Sequence, residues 1–203
     1  MRNEPSREGS REKVKAILCA TERLLDDHAI DDITTSMIAR EAGVTRTSLY
    51  HFFPSKVDVL EAMTDAYQDD LNERVIAFFE IGRRDDYRAA WTGVASVYRD
   101  YFNTNPVAAK LLLGNAESKQ VLLDKSQDKI AMQIADMMQA KTNLPQNPGS
   151  EARAPFMFQI MTKLMMSIFS LGMRRDGKIT KAIDEESNVA TMAYLDSNLG
   201  ERD

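Results

Sequence analysis

Apolar positions recur along this chain at spacings of three and four almost from end to end, and no stretch alternates residue by residue. That period belongs to amphipathic helices, so the pattern predicts an all-α chain of about nine helices. Val14, Ile17, Leu18, Thr21, Leu24 and Leu25 mark a first helix over about 10–28. Two short patterns follow: 34–41, with Ile38, Ala39 and Ala42 on one face, and 46–52, with Leu49, Phe52 and Phe53 on its apolar side. Ser55, with Asp58 three residues on, reads as a variant capping box. It opens a long fourth helix whose stripe is Leu60, Met63, Tyr67, Leu71, Val75 and Phe78. A polar break at 82–86 precedes a fifth helix, 87–103, carrying Trp91, Val94, Ala95, Tyr98, Tyr101 and Phe102. Asn105-Pro106 supplies an N-cap and a proline at the first helical position for a sixth, 106–113, which Gly114 stops. The seventh, 116–141, carries Leu122, Leu123, Ile130, Ile134, Met137 and Met138, with a polar middle at 124–129 expected to be kinked or solvated. The segment NLPQNPGS, 143–150, is the clearest loop.

The eighth predicted helix, 151–174, is apolar on every side: Phe156, Met157, Phe158, Ile160, Met161, Leu164, Met165, Met166, Ile168, Phe169, Leu171 and Met173 go right round it. With Lys163 inside it and arginines at its flanks it is a marginal membrane span, and no membrane is expected. A helix apolar all round is buried all round, yet a small helical domain covers only one of its sides. The ninth, 181–199, adds Ile183, Val189, Met192, Ala193, Leu195 and Leu199. Two such helices from each of two copies make a four-helix interface, so a homodimer through the eighth and ninth helices is expected.

The stretch TTSMIAREAGVTRTSLYHFFPSK, 34–56, has helix-turn-helix spacing. Small Ala39 permits a close crossing, and Gly43 offers the left-handed turn conformation. Thr45 suits an N-cap. Arg46, Thr47, Ser48, Tyr50 and His51 remain on the second helix, groups suited to base edges and phosphates in a major groove.

The ordered set Thr34, Ile38, Ala39, Glu41, Ala42, Gly43, Val44, Thr45, Leu49, Tyr50, His51, Phe53, Ser55 and Lys56 resembles the DNA-binding signature of the TetR family of bacterial transcriptional regulators. With the preceding helix, the likeness covers roughly the first quarter of the chain. The family usually has a glycine at the end of the first helix, where Ala29 stands here.

The resemblance implies a helix-turn-helix DNA-binding domain over 10–56, with the start of the fourth helix, and a ligand-sensing and dimerisation domain over 57–203. It implies a dimer that reads a palindromic operator on double-stranded DNA, usually as a repressor, and that a small apolar or amphipathic effector releases. On the matching positions, Arg46 is the candidate for a base contact, bidentate to guanine, or for a phosphate contact. Ser36 and Thr47 are candidates for bases or a thymine methyl, while Thr35, Tyr50, His51 and Lys56 resemble phosphate clamps. Thr45 caps the reading helix, and Tyr50 has packing as its alternative role. In the body, Trp91, Tyr98, Phe102, Phe158, Met161, Met165 and Phe169 are candidate pocket walls, with a filled core as the bland alternative. Lys163 pairs with a ligand carboxylate or snorkels at an interface edge. The fourth helix is the expected lever between the two parts.

Charge complicates this picture. The net charge is −5, unfavourable for a nucleic-acid partner. Residues 1–56, however, carry nine basic and nine acidic side chains, and the acids cluster at 26–32. A neutral head on an acidic body is compatible with DNA binding and a clear salt dependence. Residues 1–9 read as a frayed terminus, the alternative being a basic arm in a minor groove. The lone Cys19 lies off the apolar stripe, reads as a bystander thiol and suits a reducing cytoplasm, and no signal peptide opens the chain.

Two histidines, one cysteine and no nucleophile, metal or phosphate-cradle motif argue against an enzyme, a cofactor or a metal. Two other classes stay open: a DNA-binding regulator controlled by a protein partner without a small ligand, and an all-α enzyme with an inherited DNA-binding head.

Overall fold

The computed structural model describes residues 7–81, 86–114, 120–144 and 150–199, with side chains for 8–81, 86–114, 130–144 and 153–198. The described residues form α1 (Arg7–Asp27), a single 3-10 turn (Ile30–Asp32), α2 (Thr35–Glu41), α3 (Arg46–Phe52), α4 (Lys56–Glu80), α5 (Tyr87–Thr104), α6 (Pro106–Leu113), α7 (Gln120–Lys141), α8 (Ser150–Asp176) and α9 (Lys181–Leu199). No strand occurs among them. The readings made for 1–6, for the break at 82–85 and for the loop at 145–149 lie outside the described residues, as do the side chains of Leu122, Leu123 and 124–129.

The chain forms two compact units, Met1–Ala66 and Tyr67–Asp203. The division falls inside α4 rather than at its start. Val59, Leu60 and Met63 are buried, and they join the first turns of α4 to the first unit.

In the first unit, Ile17, Ala20, Thr21, Leu24 and Leu25 of α1 are buried, together with Ile38, Ala39, Leu49 and Phe53. Helix α1 closes without a left-handed residue. The His28 N–H and ring Nδ1 both reach the Leu24 carbonyl, at 2.9 and 3.1 Å. Ala29 then leaves in an extended conformation, φ −69° and ψ 151°, so no glycine is required there. The 3-10 turn, absent from the periodicity argument, carries the chain to the buried Ile33.

In the second unit α8 packs against α6, α7 and α9, and α5 packs against α6 and α9. Trp91 is fully buried; its Nε1–H donates to Thr191 Oγ1 at 2.8 Å, and its ring meets Phe158 at 5.9 Å. Asn103 pins the start of the α9 segment, exchanging hydrogen bonds with the Ile179 N–H and carbonyl at 2.8 and 2.9 Å. A side chain at Gly93 of α5 would run into the Phe78 ring of α4, so that ring lies against the bare glycine.

Helix α8 divides into two sides. Met157, Phe158, Met161, Met165 and Phe169 are buried, whereas Phe156, Leu164 and Leu171 are exposed, as is Val189 of α9. Arg153–Asp176 is the stretch among the described residues long and apolar enough to cross a membrane, and its inner side chains form part of the unit's core.

Candidate nucleic-acid interface

The turn between α2 and α3 is built from backbone hydrogen bonds. The Gly43 N–H donates to the Arg40 carbonyl at 3.2 Å, and the Val44 N–H to the Ala39 carbonyl at 3.0 Å. Gly43 itself is left-handed, φ 66°. This is a Schellman closure: the crossed pair of bonds satisfies carbonyls that the end of α2 would leave open. Val44 becomes the apolar residue that follows the glycine.

Both short helices are capped by threonine. Thr34 Oγ1 accepts from the Met37 N–H at 3.3 Å, and Thr45 Oγ1 from the Ser48 N–H at 3.1 Å. A cap of this kind contributes about 1 kcal/mol, a large share for seven-residue helices that are marginal alone. Thr45 therefore has a structural job whatever else it touches. Leu49 faces inward at 0% exposure. Arg46, Thr47, Tyr50 and His51 are exposed, and Ser48 is half-buried.

Two of the expected phosphate clamps have internal partners. The Tyr50 hydroxyl lies 2.9 Å from Thr35 Oγ1, tying the start of α2 to the middle of α3, while 47% of Tyr50 stays exposed. The packing and contact roles therefore coexist in one side chain. Lys56 Nζ donates to the Ile30 carbonyl at 3.1 Å and reaches Asp31 O at 3.5 Å. An ammonium has three donors, so Lys56 secures the 3-10 turn with a donor to spare. His51 stands edge-on to Phe52, with ring centres 5.1 Å apart. Thr35 and Ser36 are half-buried. Arg23 Nε meets Glu41 Oε1 at 2.8 Å, joining α1 to the end of α2; the pair is exposed and contributes at most about 1 kcal/mol.

The expected ligand walls fare differently. Trp91, Phe102, Phe158, Met161, Met165 and Phe169 are buried in the core of the second unit. Tyr98 of that set borders open space. It does so with Gln68, Leu71, Leu112, Ile130, Thr162 and Met166, around a narrow void. The void has a volume of about 10 Å³, about what one water needs. Lys163 is exposed and does not reach the void. The cause is helical phase: Lys163 lies about 200° round α8 from Met161, on the outer side.

Sequence reasoning missed Gln68. It sits on the buried face of α4 with Thr64, Leu71 and Val75, at 4% exposure, and neither its Nε2 nor its Oε1 has a hydrogen-bond partner. Leaving a buried amide unpaired costs about 1–3 kcal/mol. The readable signal is a glutamine three residues before Leu71 and four after Thr64, inside an otherwise apolar stripe. Burial also pushes the Tyr98 phenol up from its ordinary value, so it stays protonated. Among the described residues no cluster of three or more His, Cys, Asp or Glu side chains is arranged for a metal.

With this geometry in place, residues 17–63 match the family described as bacterial regulatory proteins, tetR family. Over 137 residues the chain is 26% identical to the nucleoid occlusion factor SlmA of Pasteurella multocida, covering 64% of this chain and 66% of that protein. Over 95 residues it is 27% identical to the HTH-type transcriptional regulator EthR of Mycobacterium tuberculosis, covering 47% of this chain and 44% of that one. The chain thus spans less than two thirds of the length of these relatives. Its fold is that of a TetR-family transcriptional regulator from Streptomyces coelicolor, with a TM-score of 0.68, 21% identity, and coverage of 91% of this chain and 98% of the other. The matched segment holds the Schellman turn, both threonine caps and the exposed side of α3, and through it the chain carries the DNA-binding domain of the tetR family of bacterial regulatory proteins.

Proposed function

We propose that this regulator is a repressor that binds a palindromic operator as a homodimer and leaves it when a small apolar or amphipathic effector binds. The first unit reads DNA; the second dimerises and senses. The observation that carries this reading is the outer side of α3. Arg46, Thr47, Tyr50 and His51 are exposed together on a helix whose position is set by Leu49, the Gly43 turn and the Thr35–Tyr50 bond. Arg46 is the base-reading or phosphate-binding cation, with Ser36 and Thr47 beside it. Thr35, Tyr50, His51 and Lys56 set register on the backbone.

The exposed Phe156, Leu164 and Leu171 of α8 and Val189 of α9 support dimerisation through these two helices. Half-sites then lie one helical turn or more apart, roughly 34 Å. An effector drives release only through unequal affinity for two states of the protein. The protein works in the cytoplasm and is not an enzyme in this reading.

The test is an unbiased selection of bound DNA by the purified protein at two salt concentrations. A palindrome enriched at both, bound more weakly at the higher, is expected. No enrichment at either salt overturns the reading.

One observation favours a second reading. Trp91, Phe102, Phe158, Met161, Met165 and Phe169 are buried in the core of the second unit, as expected for a DNA-binding protein governed by a protein partner, and one relative is named a nucleoid occlusion factor rather than a transcriptional regulator. Operator affinity that no small molecule shifts, but that a partner protein does, would favour it.

A further inference from the structure

We infer that the void between α4, α5, α6, α7 and α8 is the effector's head-group site, that Gln68 recognises the head, and that the head is an uncharged carbonyl, amide or hydroxyl group. This rests on the ligand-responsive reading above and adds the chemical class of the ligand.

Three observations carry it. Gln68 is 4% exposed, borders the void, and has neither its amide donor nor its acceptor paired. A primary amide offers two donors and an acceptor, so it meets a carbonyl or a hydroxyl equally well. The other polar neighbours are hydroxyls. Thr162 Oγ1 donates to the Phe158 carbonyl at 2.8 Å, which leaves its lone pairs to accept, and Tyr98 adds a phenol at 2% exposure.

Among the described residues, no ionisable side chain other than the Tyr98 phenol borders the void. A carboxylate or ammonium head placed there would lie in the core without a counter-charge, which proteins avoid. Lys163, the residue expected to match a carboxylate, is exposed and does not line the void.

The remaining walls are Leu71, Leu112, Ile130 and Met166. They suit a short hydrocarbon tail. The void itself is only about 10 Å³, far below the range of drug-sized ligands, about 300–1,000 Å³. The ligand is therefore small, and the core yields to admit it. Met166, with Met165 and Met161 on the same side of α8, is the adaptable wall, because an unbranched thioether side chain re-packs easily. Entry then favours a rearranged second unit, which is the difference in state that a switch needs.

The experiment titrates the full chain, free of DNA, with 1-hexanol, hexanamide, hexanoate and hexylamine by calorimetry. The alcohol and the amide should bind at least tenfold more tightly than either ion. Gln68→Leu should weaken hexanamide at least tenfold. Gln68→Glu, which places a carboxylate in the void, should turn the preference toward hexylamine and keeps the test informative if the leucine variant re-packs. Hexanoate or hexylamine matching the neutral probes, hexanamide binding unchanged in Gln68→Leu, or no binding of any probe overturns the inference. Operator affinity is read on the same samples. Neutral probes that bind without weakening operator affinity overturn the ligand-responsive reading and leave the site standing. A charged probe that releases DNA overturns the site and leaves that reading standing.

Discussion

In the first unit Thr34, Thr45, Tyr50 and Lys56 each hold a neighbouring backbone group or side chain and remain near solvent. In the second, the Gln68 amide, the Ser187 hydroxyl and the Oδ1 of Asn188 are enclosed without partners. Satisfied surface groups fix the shape of α2 and α3 at little cost, and that is what reading a groove requires: donors held still before contact. Unsatisfied interior groups are costly where they stand, and a second arrangement of the core, or a ligand, can satisfy them. In the function proposed above, the two units divide recognition by a fixed surface from response by an interior with unpaired polar groups.

The largest expected effect lies in the interior. Trp91→Ala removes a fully buried ring that contacts Phe158, together with its bond to Thr191. The loss should be about 3–5 kcal/mol in chemical denaturation. Operator sequence preference, measured below the unfolding transition, should not change. If preference changes while stability holds, the division of labour is wrong.

The reading surface gives the converse. Arg46→Ala should cost about 1–3 kcal/mol of operator affinity if Arg46 contacts a base, with a shift of less than about 0.5 kcal/mol in folding stability because the residue is exposed. Equal weakening on every DNA sequence would make it a phosphate contact instead. Unchanged operator affinity would remove α3 from the interface.

Gly43→Ala tests whether the turn is set by conformation alone. Nothing lies within 4 Å of a Cβ built at Gly43, so sterics with neighbours play no part. The left-handed φ of 66° should still cost about 1–2 kcal/mol for an alanine, and operator affinity should fall with it. A variant as stable as the parent would mean the turn re-forms in another conformation.

The difference between the units also explains what could be read in advance. Each signature position of 34–56 does a local job of fixed geometry: a cap at Thr34 and Thr45, a left-handed turn at Gly43, a close crossing at Ala39. Local jobs leave local traces, so the helix-turn-helix was legible. Ala29 was legible only as a departure; its extended backbone, with His28 closing the helix, shows why no glycine is needed. In the body, periodicity named the helices and the inner side of α8 but not where the core fails to close. Trp91, Phe158 and Met165 look like pocket walls by residue type and are core by packing. Whether an apolar side chain faces a void depends on neighbours distant in sequence. Gln68 was visible as a polar residue within an apolar stripe, but its lack of partners is a three-dimensional fact. Lys163 drew attention as a lone charge, yet its phase on α8 already placed it away from Met161 and Met165.

The smallest effect sharpens the comparison most. Tyr50→Phe keeps the ring and deletes only the hydroxyl that meets Thr35 at 2.9 Å. If that hydroxyl serves the internal bond alone, stability falls by about 0.5–1.5 kcal/mol and operator affinity follows only through the looser α2–α3 pairing. If it also donates to a phosphate, operator affinity falls further than stability, by about the same amount on every sequence, since backbone contacts carry no sequence information. Thr35→Val breaks the same internal bond and leaves the tyrosine hydroxyl in place, but also removes the contact proposed for Thr35 itself. A Tyr50→Phe whose loss of operator affinity does not exceed its loss of stability assigns Tyr50 to the scaffold. A Tyr50→Phe that loses more affinity than stability shows that one side chain both holds α3 in place and holds the DNA, and the satisfied surface of the first unit is then itself part of the contact.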